Sequence, residues 1–215
     1  MRPGEALTLC DGKGTDFEGV LETVTDRQVT VRITVSRPSQ AEPTLAVTLY
    51  QGLPKGDKMD WIVQKAVEIG VSDIYPVAMA HSVVRLESGR AEKKIERWQK
   101  IAESAAKQSK RDVVPRVHPV LPLDKALEEA ACELAVLAYE SEDRTGLKAV
   151  LQAHEGARSV AVVIGPEGGI ATEEADLAKA HGAVAASLGP RILRTETAGL
   201  VACVAILYET DNLDL

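Results

Sequence analysis

Ser159-Val160-Ala161-Val162-Val163-Ile164-Gly165-Pro166-Glu167-Gly168-Gly169-Ile170-Ala171-Thr172 is the stretch on which the fold turns. After Ser159 the run is apolar and rich in valine, with no polar alternation, the pattern of a strand buried on both faces. Glycines and a proline then stop it, and Thr172 opens a helix predicted over 172–181. Strand, glycine loop and helix in that order make half of a parallel βα unit. Downstream the unit repeats, with a strand at 184–188 and a helix over Thr195–Glu209.

Upstream, residues 44–50 are a strand candidate. Asp57 is placed to cap a helix beginning at Lys58, with Asp60 in its first turn. Met59, Ile62, Val63, Ala66 and Val67 recur at helical spacing before Gly70. A strand at 73–79, a long helix at 91–110 and a strand at 133–139 continue the alternation, and Trp61 and Trp98 fall inside helical patterns and read as core. The chain opens differently: Ala6–Cys10, Thr15–Val24 and 29–36 are rich in β-branched residues, with turns at Asp11-Gly12-Lys13-Gly14 and Asp26-Arg27. The fold class is therefore α/β, with a small β domain at 1–36, a polar two-proline linker at 37–43 and a parallel α/β domain at 44–215.

The 215 residues are 45% apolar but only 3% aromatic, so aliphatic side chains must fill the core. No apolar run is long enough to cross a bilayer, and the start, Met1-Arg2-Pro3-Gly4-Glu5, lacks the apolar segment of a secretory signal. Cys10, Cys132 and Cys203 form neither a zinc spacing nor an even disulfide framework, and His81, His118, His154 and His181 show no metal-ligand spacing. A reducing cytoplasm and no metal are the expectations. The net charge of −7 disfavours a polyanionic partner, but the charge is polarised. Residues 90–116 carry nine basic and four acidic side chains, whereas 117–190 carry five basic and twelve acidic. Lys93, Arg97, Lys100, Lys107 and Arg111 recur at steps compatible with one helix face, either a solvated face or an RNA contact.

Two loops carry chemistry. The first, 165–170, follows an apolar strand, where α/β sheets bind ligands. It matches neither GxGxxG nor GxxxxGK[ST], so it is either a strand-to-helix turn that needs glycine or a ligand loop without phosphate signatures. The second is Ser187-Leu188-Gly189-Pro190-Arg191-Ile192-Leu193-Arg194-Thr195-Glu196-Thr197-Ala198. Thr195 as helix cap and Glu196 in the first turn explain part of it. Arg191 and Arg194 are left beside a positive dipole end that disfavours cations, so an anionic partner is expected there.

In this order GPEGG and LGPRILRTETA resemble the SPOUT superfamily of knotted RNA methyltransferases. More closely, the chain is similar to the family that methylates N3 of a uridine in small-subunit (16S) ribosomal RNA. Lys55-Gly56-Asp57-Lys58-Met59-Asp60, Lys65-Ala66-Val67-Glu68-Ile69-Gly70-Val71, His81-Ser82-Val83-Val84, Glu96-Arg97-Trp98-Gln99-Lys100-Ile101 and Gln108-Ser109-Lys110-Arg111 extend the likeness over nearly everything after the linker. His81, Lys107 and Asp112 depart from the residues usual in that family.

The resemblance implies a trefoil knot in 44–215, a homodimer, and S-adenosylmethionine held bent by loops after three strands. The implied donor contacts are Tyr139, Ile164, Gly165, Glu167, Gly168, Gly169, Leu188, Gly189, Ile192 and Leu193. Arg194 would stabilise the charge that develops on the base, and Glu196 would either accept the N3 proton or orient Arg194. Arg191 would meet phosphate or the donor carboxylate, and Lys93, Arg97, Lys100, Lys107 and Arg111 would meet RNA. It also implies that 1–36 is part of a PUA-like β-barrel whose opening strand and basic segment are absent. Alternatives are a SPOUT methyltransferase of another RNA, or a non-catalytic RNA-binding or ribosome-assembly factor of the same fold.

Overall fold

The computed structural model describes residues 1–83, 88–129, 132–140 and 144–213; Val84, at the end of one segment of the resemblance, lies outside them. The chain forms two compact units, Met1–Glu42 with Ala106–Val114, and Pro43–Ala105 with Pro115–Leu215.

In the smaller unit β1 (Ala6–Cys10), β2 (Thr15–Val24) and β3 (Val29–Pro38) form an antiparallel sheet in chain order. The Asp11 carboxylate accepts the N–H groups of Lys13 and Thr15, at 2.7 and 3.1 Å, and so builds the first turn. Three strands do not close a barrel, and where part of a PUA-like barrel is expected the unit is an open antiparallel sheet. Its outer strand β3 leaves Val29, Ile33 and Val35 exposed.

The larger unit contains β4 (Ala46–Gly52), α1 (Lys58–Ile69), β5 (Asp73–Ala78), α2 (Ser88–Ser109), β6 (Arg116–Val117), β7 (Leu121–Pro122) and α3 (Leu123–Glu129). It continues with β8 (Leu134–Ala138), α4 (Leu147–Ala153), β9 (Ser159–Ile164), α5 (Thr172–Ala180), β10 (Val184–Ala186) and α6 (Thr195–Glu209). The last turn of α2 groups with the smaller unit. The seven strands pair in parallel, in the order β10-β8-β9-β4-β5-β6, with β7 also on β5. As the apolar runs predict, the central strands are buried on both faces. Tyr50, Ala161 and Val163 face a core with Ala126 of α3 and Ala175 and Ala178 of α5, while Gly199 of α6 lies against Leu49 and Ile164 on the other face.

Several local expectations change. Asp57 holds the N-cap position of α1, but its side chain makes no capping bond. Gly70 does end α1, its N–H reaching the carbonyls of Ala66 and Val67. Strand β4 runs on to Gly52 instead of stopping at Tyr50, which puts Gln51 inside the sheet. Trp98 is buried at 2% exposure, whereas Trp61 is 45% exposed, because it lies off the face of α1 that carries Met59, Ile62, Val63 and Ala66. No helix among the described residues is long and apolar enough to cross a membrane.

Candidate active site

Because the sheet is parallel, neighbouring strands β10, β8, β9 and β4 all end on one edge. The loops that leave them bring together Tyr139-Glu140, 165–170, 187–194 and the Gln51-Gly52 corner. Ser187 continues β10 by pairing with Gly146, while the Tyr139 N–H donates to Ala186 O at 3.2 Å. Lys179 Nζ lies 5.5 Å from the Tyr139 ring centroid.

The glycine loop after β9 packs on the protein itself. The Gly169 N–H donates to Pro166 O at 3.0 Å. A Cβ on Gly165 would lie 2.7 Å from Ile170 Cγ1 and 2.9 Å from the Gly169 carbonyl carbon, so only glycine fits. The loop after β10 is more open. Gly189 has φ +106 with nothing within 4 Å of a Cβ, and Ile192 is 91% exposed. Leu188 and Leu193 are half-buried.

Two ties join these loops. In the buried one, the Thr195 hydroxyl donates to Gly165 O at 2.6 Å and accepts Gln51 Nε2 at 2.8 Å. The second is more exposed: Lys58 Nζ donates to Glu167 Oε1 at 2.9 Å and to Glu196 Oε2 at 3.1 Å. Glu167 also accepts the Lys55 N–H at 3.1 Å. Thr195, expected as the cap of α6, is its first helical residue instead, and Arg194 holds the N-cap position. The hydroxyl is spent on Gly165, and the Thr197 and Ala198 N–H groups close on Arg194 O, both at 2.8 Å.

Burial pushes the Glu196 carboxyl up, but its own backbone N–H, the Lys58 hydrogen bond and charge, and the Arg194 charge outweigh that and hold it below the ordinary carboxyl value. Glu167 is lowered in the same way by Lys58 and by the N–H groups of Glu167 and Lys55. Arg191 and Arg194 are exposed, and among the described residues neither has an ion-pair partner. The site therefore presents two guanidinium groups with no ion-pair partner among the described residues, beside two carboxylates that share the one Lys58 ammonium.

On α2, Lys93, Arg97 and Lys100 line a shallow groove of about 400 Å³ with Glu96, Ile101 and Ser104, and Lys107 is exposed further along. Arg97 is bound to Asp60, which also accepts Trp98 Nε1 at 3.0 Å. Arg111 does not share this face. The helix stops at Ser109, Lys110 turns into the left-handed region at φ 61, and the Arg111 side chain, 4% exposed, binds Glu42 at 2.6 Å. Its charge, expected to meet RNA, is paired with Glu42 inside the smaller unit. A wider cleft of about 840 Å³, with Leu45, Leu134 and Val160 in its walls, lies at the starts of the strands, away from this edge. Among the described residues no group of His, Cys, Asp and Glu stands close enough to hold a metal ion.

Gln51 and Lys58 are the site residues that sequence reasoning passed over. The signal for Gln51 was a lone amide after an apolar strand; that for Lys58 was its place in the quoted segment 55–60.

A family model of the RNA methyltransferase domain matches residues 40–207. The chain is 37% identical to the ribosomal RNA small subunit methyltransferase E of Bacillus subtilis, over 99% of this chain and 85% of that protein. It is similar to the crystal structure of a ribosomal RNA small subunit methyltransferase E from Neisseria gonorrhoeae bound to S-adenosyl methionine. That likeness has a TM-score of 0.82, 38% identity, and coverage of 96% of this chain and 84% of that one. A crystal structure of a hypothetical protein, 37% identical, superposes with a TM-score of 0.91 over 99% of this chain and 86% of its own.

Proposed function

The chain belongs to the RNA methyltransferase domain family, and on that premise we propose that it transfers a methyl group from S-adenosylmethionine to N3 of a uridine in 16S ribosomal RNA. The observation that carries this reading is the edge where β10, β8 and β9 end side by side, with an uncovered apolar residue and two exposed arginines on one loop that have no ion-pair partner among the described residues.

The residues present fit the donor. Ile192, 91% exposed, and the open backbone at Gly189 offer an apolar, main-chain-lined surface for a flat base, and need no phosphate loop. The donor supplies an electrophilic methyl group on a sulfonium. Uracil N3 is protonated and poorly nucleophilic, so this chain must stabilise the anion left when the proton departs. Arg194, which has no ion-pair partner among the described residues and whose charge helps to lower Glu196, is the group proposed for that charge. Arg191, three residues earlier on the same exposed loop, is proposed for phosphate or the donor carboxylate. Glu196 is already lowered and bonded to Lys58, so it is a weak proton acceptor; its interaction with the Arg194 charge supports a role in orienting Arg194, and the N3 proton passes to solvent water as the methyl group leaves the sulfonium.

The finer fold in this reading is the SPOUT trefoil knot for 44–215, with 1–36 as a PUA-like RNA-binding unit. Lys93, Arg97, Lys100 and Lys107 are proposed to contact RNA. The exposed apolar stripe Val201, Val204 and Tyr208 of α6 supports a homodimer. The reading entails a cytoplasmic site of action, where ribosomal subunits are assembled.

The test is methylation of small subunits, from a strain lacking this activity, with labelled S-adenosylmethionine, followed by mapping of the modified nucleotide. Label at one uridine N3 is expected, and label on another atom would overturn the specificity. Arg194→Ala should bind the donor normally and methylate about 10²–10³-fold more slowly, the cost of losing one charge-stabilising group.

A further inference from the structure

Gln51 is a glutamine at 0% exposure in the middle of a parallel sheet, where a leucine of similar size would avoid burying an amide. Its hydrogen bonds have a forced direction. Gly52 O and Gly165 O can only accept. Gln51 therefore turns its amide nitrogen towards Gly52 O, at 3.1 Å, and the Thr195 oxygen, at 2.8 Å. The Thr195 hydroxyl proton is left for Gly165 O, at 2.6 Å. The amide oxygen of Gln51 then has no hydrogen-bond donor among the described residues. It occupies room that Gly199 leaves, since a Cβ there would lie 3.0 Å from it. An orphaned buried oxygen costs stability, so the arrangement is not explained by stability.

Position supplies the explanation. In the sheet β8 and β9 lie between β10 and β4. The loop that leaves β10 at Ser187 must therefore pass over the ends of β8 and β9 before α6 begins at Thr195, where the clasp holds it. The clasp fixes the far foot of that arch against the carbonyl of the β9 loop. We propose that Gln51 is a positioning residue that, through Thr195, sets the gap between the β9 and β10 loops and so sets affinity for the methyl donor. The proposal rests on the reading that S-adenosylmethionine sits between those loops. The Lys58 tie to Glu167 and Glu196 crosses the same gap on its more exposed side, so the loops stay attached when the clasp is cut.

The experiment is calorimetric titration of the full-length protein with S-adenosylmethionine, with the thermal midpoint of each variant recorded. Thr195→Val and Gln51→Met should each weaken binding about ten- to hundredfold, the range for leaving a buried partner unpaired. Thr195→Ser keeps the hydroxyl and should bind within about threefold of the parent protein, a rescue that packing at this position would not predict. The Gln51→Met/Thr195→Val double variant should bind no worse than the weaker single one, because both cut the same chain. Gly199→Ala removes no hydrogen-bonding group but displaces the Gln51 amide, and should weaken binding too; it decides the matter if the other variants fail to fold. Single variants that bind like the parent, effects that multiply, or Thr195→Ser as weak as Thr195→Val would overturn the role of Gln51. A parent protein that does not bind the donor would instead overturn the functional reading, and this inference with it.

Discussion

Lys58 is where the two acidic side chains of the candidate site converge, and its pairing has a pH signature. Hydrogen bonds to Glu167 and Glu196 raise the Lys58 ammonium above 10.5, and the two carboxyls sit below 4.5 although burial works against them. A lowered carboxyl stabilises the fold above its unfolded value, and that contribution fades as pH falls through the lower folded value. A raised ammonium stabilises below its unfolded value and loses its contribution as pH rises through the folded one. The tie is thus whole across the neutral range. Lys58→Met should lower the urea midpoint between roughly pH 5 and 10, and the two proteins should converge as the carboxyls protonate in acid. The side chains are 20–31% exposed, so the effect is modest and shrinks with added salt. A midpoint difference that widened below pH 4 would mean that the lysine acts by packing instead.

Helix α2 separates two kinds of basic residue that its sequence does not tell apart. Lys100 is exposed on the groove, so Lys100→Ala should reduce the slope of log affinity for ribosomal RNA against log salt by about 0.7–0.9, the worth of one phosphate contact. Arg111→Ala should leave that slope unchanged, yet cost about 1–3 kcal/mol in stability, because Glu42, 21% exposed, would lose its guanidinium partner and keep only the N–H groups of Asp112 and Val113. Filter-binding titrations in a salt series, with urea unfolding beside them, check both. Legibility in the sequence followed the same division between local and distant causes. Strands β1, β2 and β9 and helix α6 were read at their observed bounds, since long β-branched or apolar runs announce themselves. The two-residue strands β6 and β7 and the seven-residue helices α3 and α4 were not, being too short to show a period. The arginines and glycines of the candidate site were visible because they cluster locally. Gln51 and Lys58 were not, since their partners lie 144, 109 and 138 residues away and only the sheet order brings them near.

For the molecule as a whole, net charge and apolar surface make opposite demands, and salt separates them. A chain with a net charge of −7 repels its own copies. Yet α6 carries no charged residue between Glu196 and Glu209, and it exposes Val201, Val204 and Tyr208 at 41, 40 and 67%. These lie three and four residues apart, on one stripe opposite buried Cys203, Ile206 and Leu207. A helix apolar on both sides is covered on both sides in a stable assembly, and a two-fold pair of α6 stripes would cover it. Sedimentation equilibrium at micromolar concentration should therefore report about twice 23.0 kDa, and Val204→Lys should return the mass to that of one chain. Added salt screens the like charges of the two copies and strengthens apolar association, so the dimer should hold or tighten as salt rises, while RNA affinity falls. A dimer that dissociates in salt in step with loss of RNA would mean that ion pairs, rather than the α6 stripe, join the copies.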